Sequence, residues 1–141
     1  MKKIFISSDH AGYNLKEFIK TFLKKKKLKY FDLGPKNNSK TDYPFYAHKV
    51  AKKVKINKNH VGILVCGSGT GMNITANKHK NIRAAQCFSE ESTKLSRLHN
   101  DANVITLGAR LISKKKACSF VQLFLKTRFE GGRHIKRIRR I

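Results

Sequence analysis

Apolar and polar positions along this chain follow two different periods. Short apolar runs at residues 3–7 (KIFIS), 28–33, 61–66 (VGILVC), 82–87 and 103–107 each predict a strand. Between them the spacing becomes helical. Leu15, Phe18, Ile19, Phe22 and Leu23 recur at i, i+3, i+4, i+7 and i+8, the stripe of an amphipathic helix. That helix runs into Lys24, Lys25, Lys26 and Lys27, where cations suit the negative end of its dipole. Further helices are predicted over 44–56, from Gly71 towards residue 78, over 90–98, and over 113–126 with Ala117, Phe120, Val121 and Phe124 on one face. A short basic segment follows Gly131-Gly132.

Strands that alternate with helices predict an α/β class protein: a single doubly wound, Rossmann-like sheet of five parallel strands with helices on both faces. The continuously apolar VGILVC suits the buried centre of such a sheet. No linker, low-complexity stretch or internal repeat interrupts residues 1–141, which are expected to form one domain. Ligands of these folds bind beyond the carboxyl ends of the strands, near the point where strand order reverses. Asp9-His10 follows the first strand, Cys66 to Gly71 the third, and Gly108 to Arg110 the fifth. His99-Asn100 precedes the fifth strand, so it must reach such a site differently or belong to a neighbouring subunit.

Composition changes this picture little. A hydrophobic content of 40% with nine Phe fits a folded protein. The net charge of +24 comes mostly from Lys spread along the whole chain, which reads as a compositional bias filling solvated faces. It should still draw an anionic substrate. A basic nucleic-acid-binding module is the competing class; it would need a localised positive face and steeply salt-dependent binding. The aromatics instead sit at core-like spacings and do not interleave with basic residues, so no specific nucleic acid partner is expected. The apolar run after Met1-Lys2-Lys3 is too short for a signal peptide or a membrane span, so a cytoplasmic protein with no membrane partner is expected. Cys66, Cys87 and Cys118 are widely spaced without a CxxC pair, which argues against a disulfide framework or a zinc site.

The chemistry gathers in four segments. The turn Gly67-Ser68-Gly69-Thr70-Gly71 lets backbone approach an anion at the start of a helix. It is neither a dinucleotide fingerprint, given Met72, nor a P-loop; a tight strand-to-helix connection is the plainer alternative. Cys66 abuts that turn. Thiols beside helix N-termini and cations can serve as bases or nucleophiles, although Cys is also among the most buried residue types. Cys87 and Cys118 lack such settings and are expected in the core. Asp9 is either a site carboxylate or an N-cap. His99 is either a general acid or part of a helix C-terminal turn. His48, His60 and His79 lie among lysines and are expected to be solvated. In Glu130-Gly131-Gly132-Arg133-His134, followed by Arg137, the arginines stand out from the lysine background, and with Arg110 they suit bidentate phosphate binding.

Together SSDHAG, TDYP, ILVCGSGTGMNITANK, IRAAQC, LSRLHNDANVITLGAR and EGGRHIKRI cover nearly the whole chain. In this order and spacing they resemble the type B ribose-5-phosphate isomerases, a family that also holds galactose- and allose-6-phosphate isomerases. The resemblance implies aldose–ketose isomerisation of a phosphorylated pentose without cofactor or metal. It also implies a homodimer or dimer of dimers whose active sites are shared between subunits. Cys66 would move the proton between C2 and C1, and His99 would open the furanose ring. Asp9 would contact sugar hydroxyls or assist proton transfer, with Ser68, Asp42 and Tyr43 nearby. The backbone of Gly67, Ser68, Gly69, Thr70 and Gly71 would stabilise the enediolate oxygen. His10, Arg110, Arg133 and Arg137 would hold phosphate, and Asn100 would line the pocket. One branch of the family uses a glutamate in the helix after the glycine turn; no acid lies between Gly67 and Lys80 here, so the cysteine mechanism applies. A hexose 6-phosphate is the alternative substrate. The galactose-6-phosphate enzymes resemble two-chain assemblies that divide these residues, whereas this one chain carries them all, which favours the pentose.

Overall fold

In the computed structural model, which describes residues 1–141, five parallel strands form one sheet in the order β2-β1-β3-β5-β4. The strands are β1 (Lys3–Ser8), β2 (Tyr30–Asp32), β3 (His60–Cys66), β4 (Ala84–Gln86) and β5 (Val104–Gly108). The helices are α1 (Tyr13–Lys25), α2 (Tyr43–Val54), α3 (Thr70–Ala76), α4 (Glu90–Asn100), α5 (Lys114–Lys126) and the short α6 (Ile135–Ile138), which a turn of 3-10 helix at Gly132–His134 precedes. The doubly wound architecture read from the sequence is the one found.

Every residue of β3 is buried, and its alternating side chains divide the core in two. Val61, Ile63 and Val65 pack with Leu15, Ile19 and Leu23 of α1 and Phe120, Val121 and Phe124 of α5. Leu64 and Cys66 face the other way, onto Ala47 and Val50 of α2 and Met72 and Ala76 of α3. The period-2 pleat therefore aims Cys66 towards the α2–α3 face.

The edge strands are shorter than their apolar runs. Leu28 belongs to the turn closing α1, where its N–H donates to the Leu23 carbonyl just after Lys27 at φ 56°. Ile82 likewise sits in a turn, its N–H donating to the His79 carbonyl. Other expectations are corrected by tertiary packing. Phe18, part of the apolar stripe of α1, is exposed, while Lys16 beside it is fully buried. Phe45 and Phe88 are exposed as well. His60, expected in solvent, is buried at the start of β3; its Nδ1 lies 2.6 Å from the Lys53 carbonyl and its ring centroid 5.0 Å from that of Phe5. His48 and His79 are half-buried against each other, Nδ1 to Nε2 2.6 Å. Cys87 and Cys118 are buried as expected, and burial pushes both thiols up from their ordinary range.

Gly12 marks the closest approach of α1 to the sheet. A Cβ there would stand 2.3 Å from the Val65 carbonyl oxygen, a backbone atom that cannot turn aside. Gly12→Ala is expected to lower stability by about 1–3 kcal/mol through overpacking. A urea midpoint unchanged from wild type would refute this.

Candidate active site

The cleft at the carboxyl ends of β1 and β3 lies where the chain reverses its direction of winding, since β2 flanks β1 on one side and β3 on the other. Asp9 and His10 leave β1, Cys66 and Gly67 leave β3, Arg110 follows β5, and Tyr43 opens α2. With Ser68, Gly71, Ala11 and Leu111 they line a cleft of about 310 Å³.

Cys66 is 4% exposed. Its Sγ accepts the N–H of Gly69 at 3.1 Å, because Gly69 adopts φ 80° and turns its amide back onto the sulfur. A Cβ on Gly69 would stand 3.0 Å from the Leu107 carbonyl carbon, so the residue has no room for a side chain. The Arg110 guanidinium lies over Gly67, where a Cβ would come within 2.8 Å of its Nη1. The Arg110 N–H donates to the Gly67 carbonyl. The two glycines thus bring an amide onto the thiol and a cation over the turn.

Asp9 lines the cleft and accepts the Gly12 N–H at 2.9 Å; the N-cap position of α1 is Gly12, so Asp9 braces the turn before the helix and does not cap it. His10 Nδ1 engages the Thr41 backbone, 3.0 Å from its carbonyl oxygen and 3.3 Å from its nitrogen. Asp42 occupies the N-cap position of α2 without capping it and stands outside the cleft lining. Thr70 is exposed; its hydroxyl donates to Gln86 Oε1 at 3.3 Å, while Gln86 Nε2 donates to the Ser68 carbonyl at 2.7 Å. Gln86 braces the glycine turn, a role the sequence reading missed. Its signal was a polar residue at the carboxyl end of a strand.

His99, Asn100, Arg133 and Arg137 do not join this cleft. The helix α4 runs antiparallel to the strands, from the carboxyl end of β4 to the amino end of β5, so its last turn sets His99 and Asn100 at the opposite end of the sheet. There the Glu130 N–H donates to the Leu98 carbonyl, and Gly131 and Gly132, at φ 72° and 54°, turn the chain into the segment carrying Arg133, His134 and Arg137. The His99 and His134 rings stack with centroids 4.4 Å apart and planes inclined by 19°. Glu130 Oε2 stands 3.8 Å from His99 Nε2 and 3.7 Å from His134 Nε2. Desolvation and the neighbouring Arg133 and His99 hold the His134 imidazole below the ordinary histidine range, against the pull of Glu130. Glu130 and His134 are four residues apart in one segment, but His99 comes from a distant part of the chain, so sequence spacing gave no sign that it meets them.

A larger cleft of about 680 Å³ lies between the end of β2 and α2. Its ionisable lining is lysine (Lys36, Lys49, Lys52, Lys53) apart from Tyr46 and Asp32, and Asp32 is engaged by Lys16 and Lys20. Acid–base chemistry therefore points to the smaller cleft.

The family model described as "Ribose/Galactose Isomerase" matches residues 4–141. The ribose-5-phosphate isomerase B of Escherichia coli is 41% identical over 141 residues, covering 100% of this chain and 95% of that protein. The structure of Clostridium thermocellum ribose-5-phosphate isomerase B superposes with a TM-score of 0.95 at 45% identity, over 98% of this chain and 93% of that one. That of the Mycoplasma genitalium enzyme with bound ribulose 5-phosphate gives 0.94 at 44% identity, over 98% and 92%. With the sheet order and the cleft already described, these likenesses place the chain in the ribose/galactose isomerase family.

Proposed function

We propose that this protein interconverts D-ribose 5-phosphate and D-ribulose 5-phosphate through an enediolate, as a cytoplasmic homodimer or dimer of dimers. The observation that carries this reading is the cleft itself: a buried thiol held by a backbone N–H, with a carboxylate, an imidazole and a guanidinium around it. Cys66 takes the C2 proton of the open-chain aldose and returns it at C1 of the ketose. Such acid–base groups each contribute roughly 10²–10⁴-fold. The glycine turn faces the oxygen that gains charge, where an oriented donor is worth about 10²–10³-fold. His10 and Arg110 grip phosphate away from the reacting carbons, binding energy that fixes the sugar's position.

Ring opening also needs an acid, a role that falls to His99 and not to Asp9, whose carboxylate in the cleft is engaged by the Gly12 N–H. The complementary groups, His99, Asn100, Arg133 and Arg137, lie at the other end of the sheet. A second copy related by a two-fold axis would bring them over Cys66 and complete two equivalent sites. The apolar side chains left exposed towards the cleft end, Tyr43, Phe88 and Leu111, suit such a contact. No helix is long and apolar enough to cross a membrane.

The test is kcat/KM of the purified protein in EDTA for ribose 5-phosphate and for allose 6-phosphate. A preference for the pentose of at least about tenfold is expected, the scale on which a pocket discriminates one extra carbon unit. Turnover confined to the hexose phosphate would reassign the substrate and leave the acid–base reading intact.

A further inference from the structure

We propose that His99, Glu130 and His134 form a binding site for one divalent d-block cation, with zinc the best match. One ligand atom from each lies within 4.8 Å of the other two. The set is two imidazoles and a carboxylate, a combination that open zinc sites use with water in the fourth position. It suits zinc, nickel or copper, and does not suit magnesium or calcium, which prefer oxygen throughout.

A second, independent observation points to a ligand. His134 is 4% exposed, and its Nε2 is one of two buried side-chain polar atoms in the protein with no hydrogen-bond partner. It faces Glu130 Oε2 across 3.7 Å, too far for a hydrogen bond. Buried polar atoms normally find partners. A metal with bonds of about 2.0–2.2 Å would sit between the two atoms and satisfy both. The site is held by backbone as well as side chains: the Glu130 N–H bonds Leu98 at the end of α4, and the His134 N–H bonds the Gly131 carbonyl. His99, with 36% of its side chain exposed, is the ring free to turn its Nε2 inward from the stacked position.

Resting on the reading of His99 as the ring-opening acid, a bound cation would occupy that imidazole and reversibly silence turnover. The site and its consequence are tested separately. Calorimetric titration of the purified protein with zinc chloride in a non-coordinating buffer should give one ion per chain. Glu130→Gln should weaken that binding by at least about tenfold, the usual scale for losing support at a metal centre, while magnesium should not bind. His48→Ala removes the only other close histidine pair and should leave binding unchanged. No stoichiometric binding, or binding untouched by Glu130→Gln, would overturn the site. Turnover of ribose 5-phosphate should fall with zinc and return with EDTA in wild type, with Glu130→Gln requiring at least about tenfold more zinc. Full turnover with zinc bound would leave the site standing and remove His99 from the chemistry.

Discussion

Cys66→Ala is expected to lose at least about 10³-fold in kcat, and co-refolding it with His99→Ala to restore about a quarter of wild-type turnover. The loss follows from removing the group proposed to carry a proton between adjacent carbons, worth the upper part of the 10²–10⁴ range. The fold should survive, because Cys66 contributes one small side chain at the end of β3. The recovery follows from symmetry. His99 lies at the amino end of the sheet and Cys66 at the carboxyl end, so the two meet only if the site spans two chains. Random re-pairing makes about half of the dimers mixed. Each mixed dimer holds one doubly damaged site and one intact one. Were both residues to act within one chain, every site would carry a lesion and mixing would restore nothing. With wild type active, a mixture no more active than its components would therefore sink the shared site.

Sequence reading reached the architecture because the central strands leave no choice. VGILVC can only be buried on both faces, and the polar turn after it can only lie at a strand end. The edges were less legible. At β2 and β4 apolar residues serve turns and helix ends as much as the ladder, so Leu28 and Ile82 read as strand without being strand. Helical periodicity located α1 and its buried Leu15, Ile19 and Leu23, but at two positions the packing differs: Lys16 went inside and Phe18 outside. The reason is a partner on β2, Asp32, which no local pattern records. The site divides in the same way. Residues that follow a strand (Asp9, His10, Cys66, Arg110) were placed at one end by chain direction alone, and so was the distance of His99 from them. Gln86 and the burial of His134 depend on which strand neighbours which, and that order, with β5 inserted between β3 and β4, is a tertiary fact.

Asp32→Ala is expected to cost about 3 kcal/mol, while Lys16→Met at the other end of the same ion pair should cost markedly less. Lys16 Nζ is wholly removed from solvent. It bonds Asp32 Oδ1 at 2.9 Å and Oδ2 at 3.0 Å, and the Pro35 carbonyl at 2.7 Å. Without Asp32 a buried ammonium keeps that carbonyl as its one hydrogen-bond acceptor, with the Glu17 carboxylate no nearer than 3.8 Å, and stranding a buried charge costs about 3–5 kcal/mol. The lower end applies because the Asp32 side chain is itself 25% exposed. In Lys16→Met the carboxylate retains Lys20 at 2.6 Å and the Gly34 N–H at 2.9 Å, so no charge is stranded, only the Pro35 carbonyl loses its donor, and the methionine stem fills the space. The site should feel the loss too. Asp32 fixes Gly34, whose carbonyl accepts from Ser8 N–H and Ser7 Oγ at the end of β1, directly before Asp9. The acid dependence has a definite sign. Burial opposes ionisation of Asp32, but hydrogen bonds from Lys20, Lys16 and Gly34 outweigh it and hold its carboxyl below the ordinary range. A depressed carboxyl stabilises the fold above its unfolded pKa, about 3.9, and loses that contribution as pH falls through the lower folded value. Thermal unfolding at matched protein concentration should therefore show a gap between wild type and Asp32→Asn that is constant near neutrality and narrows below about pH 4. A gap that widens in acid, or equal losses for Asp32→Ala and Lys16→Met, would mean the buried ammonium is not what Asp32 neutralises.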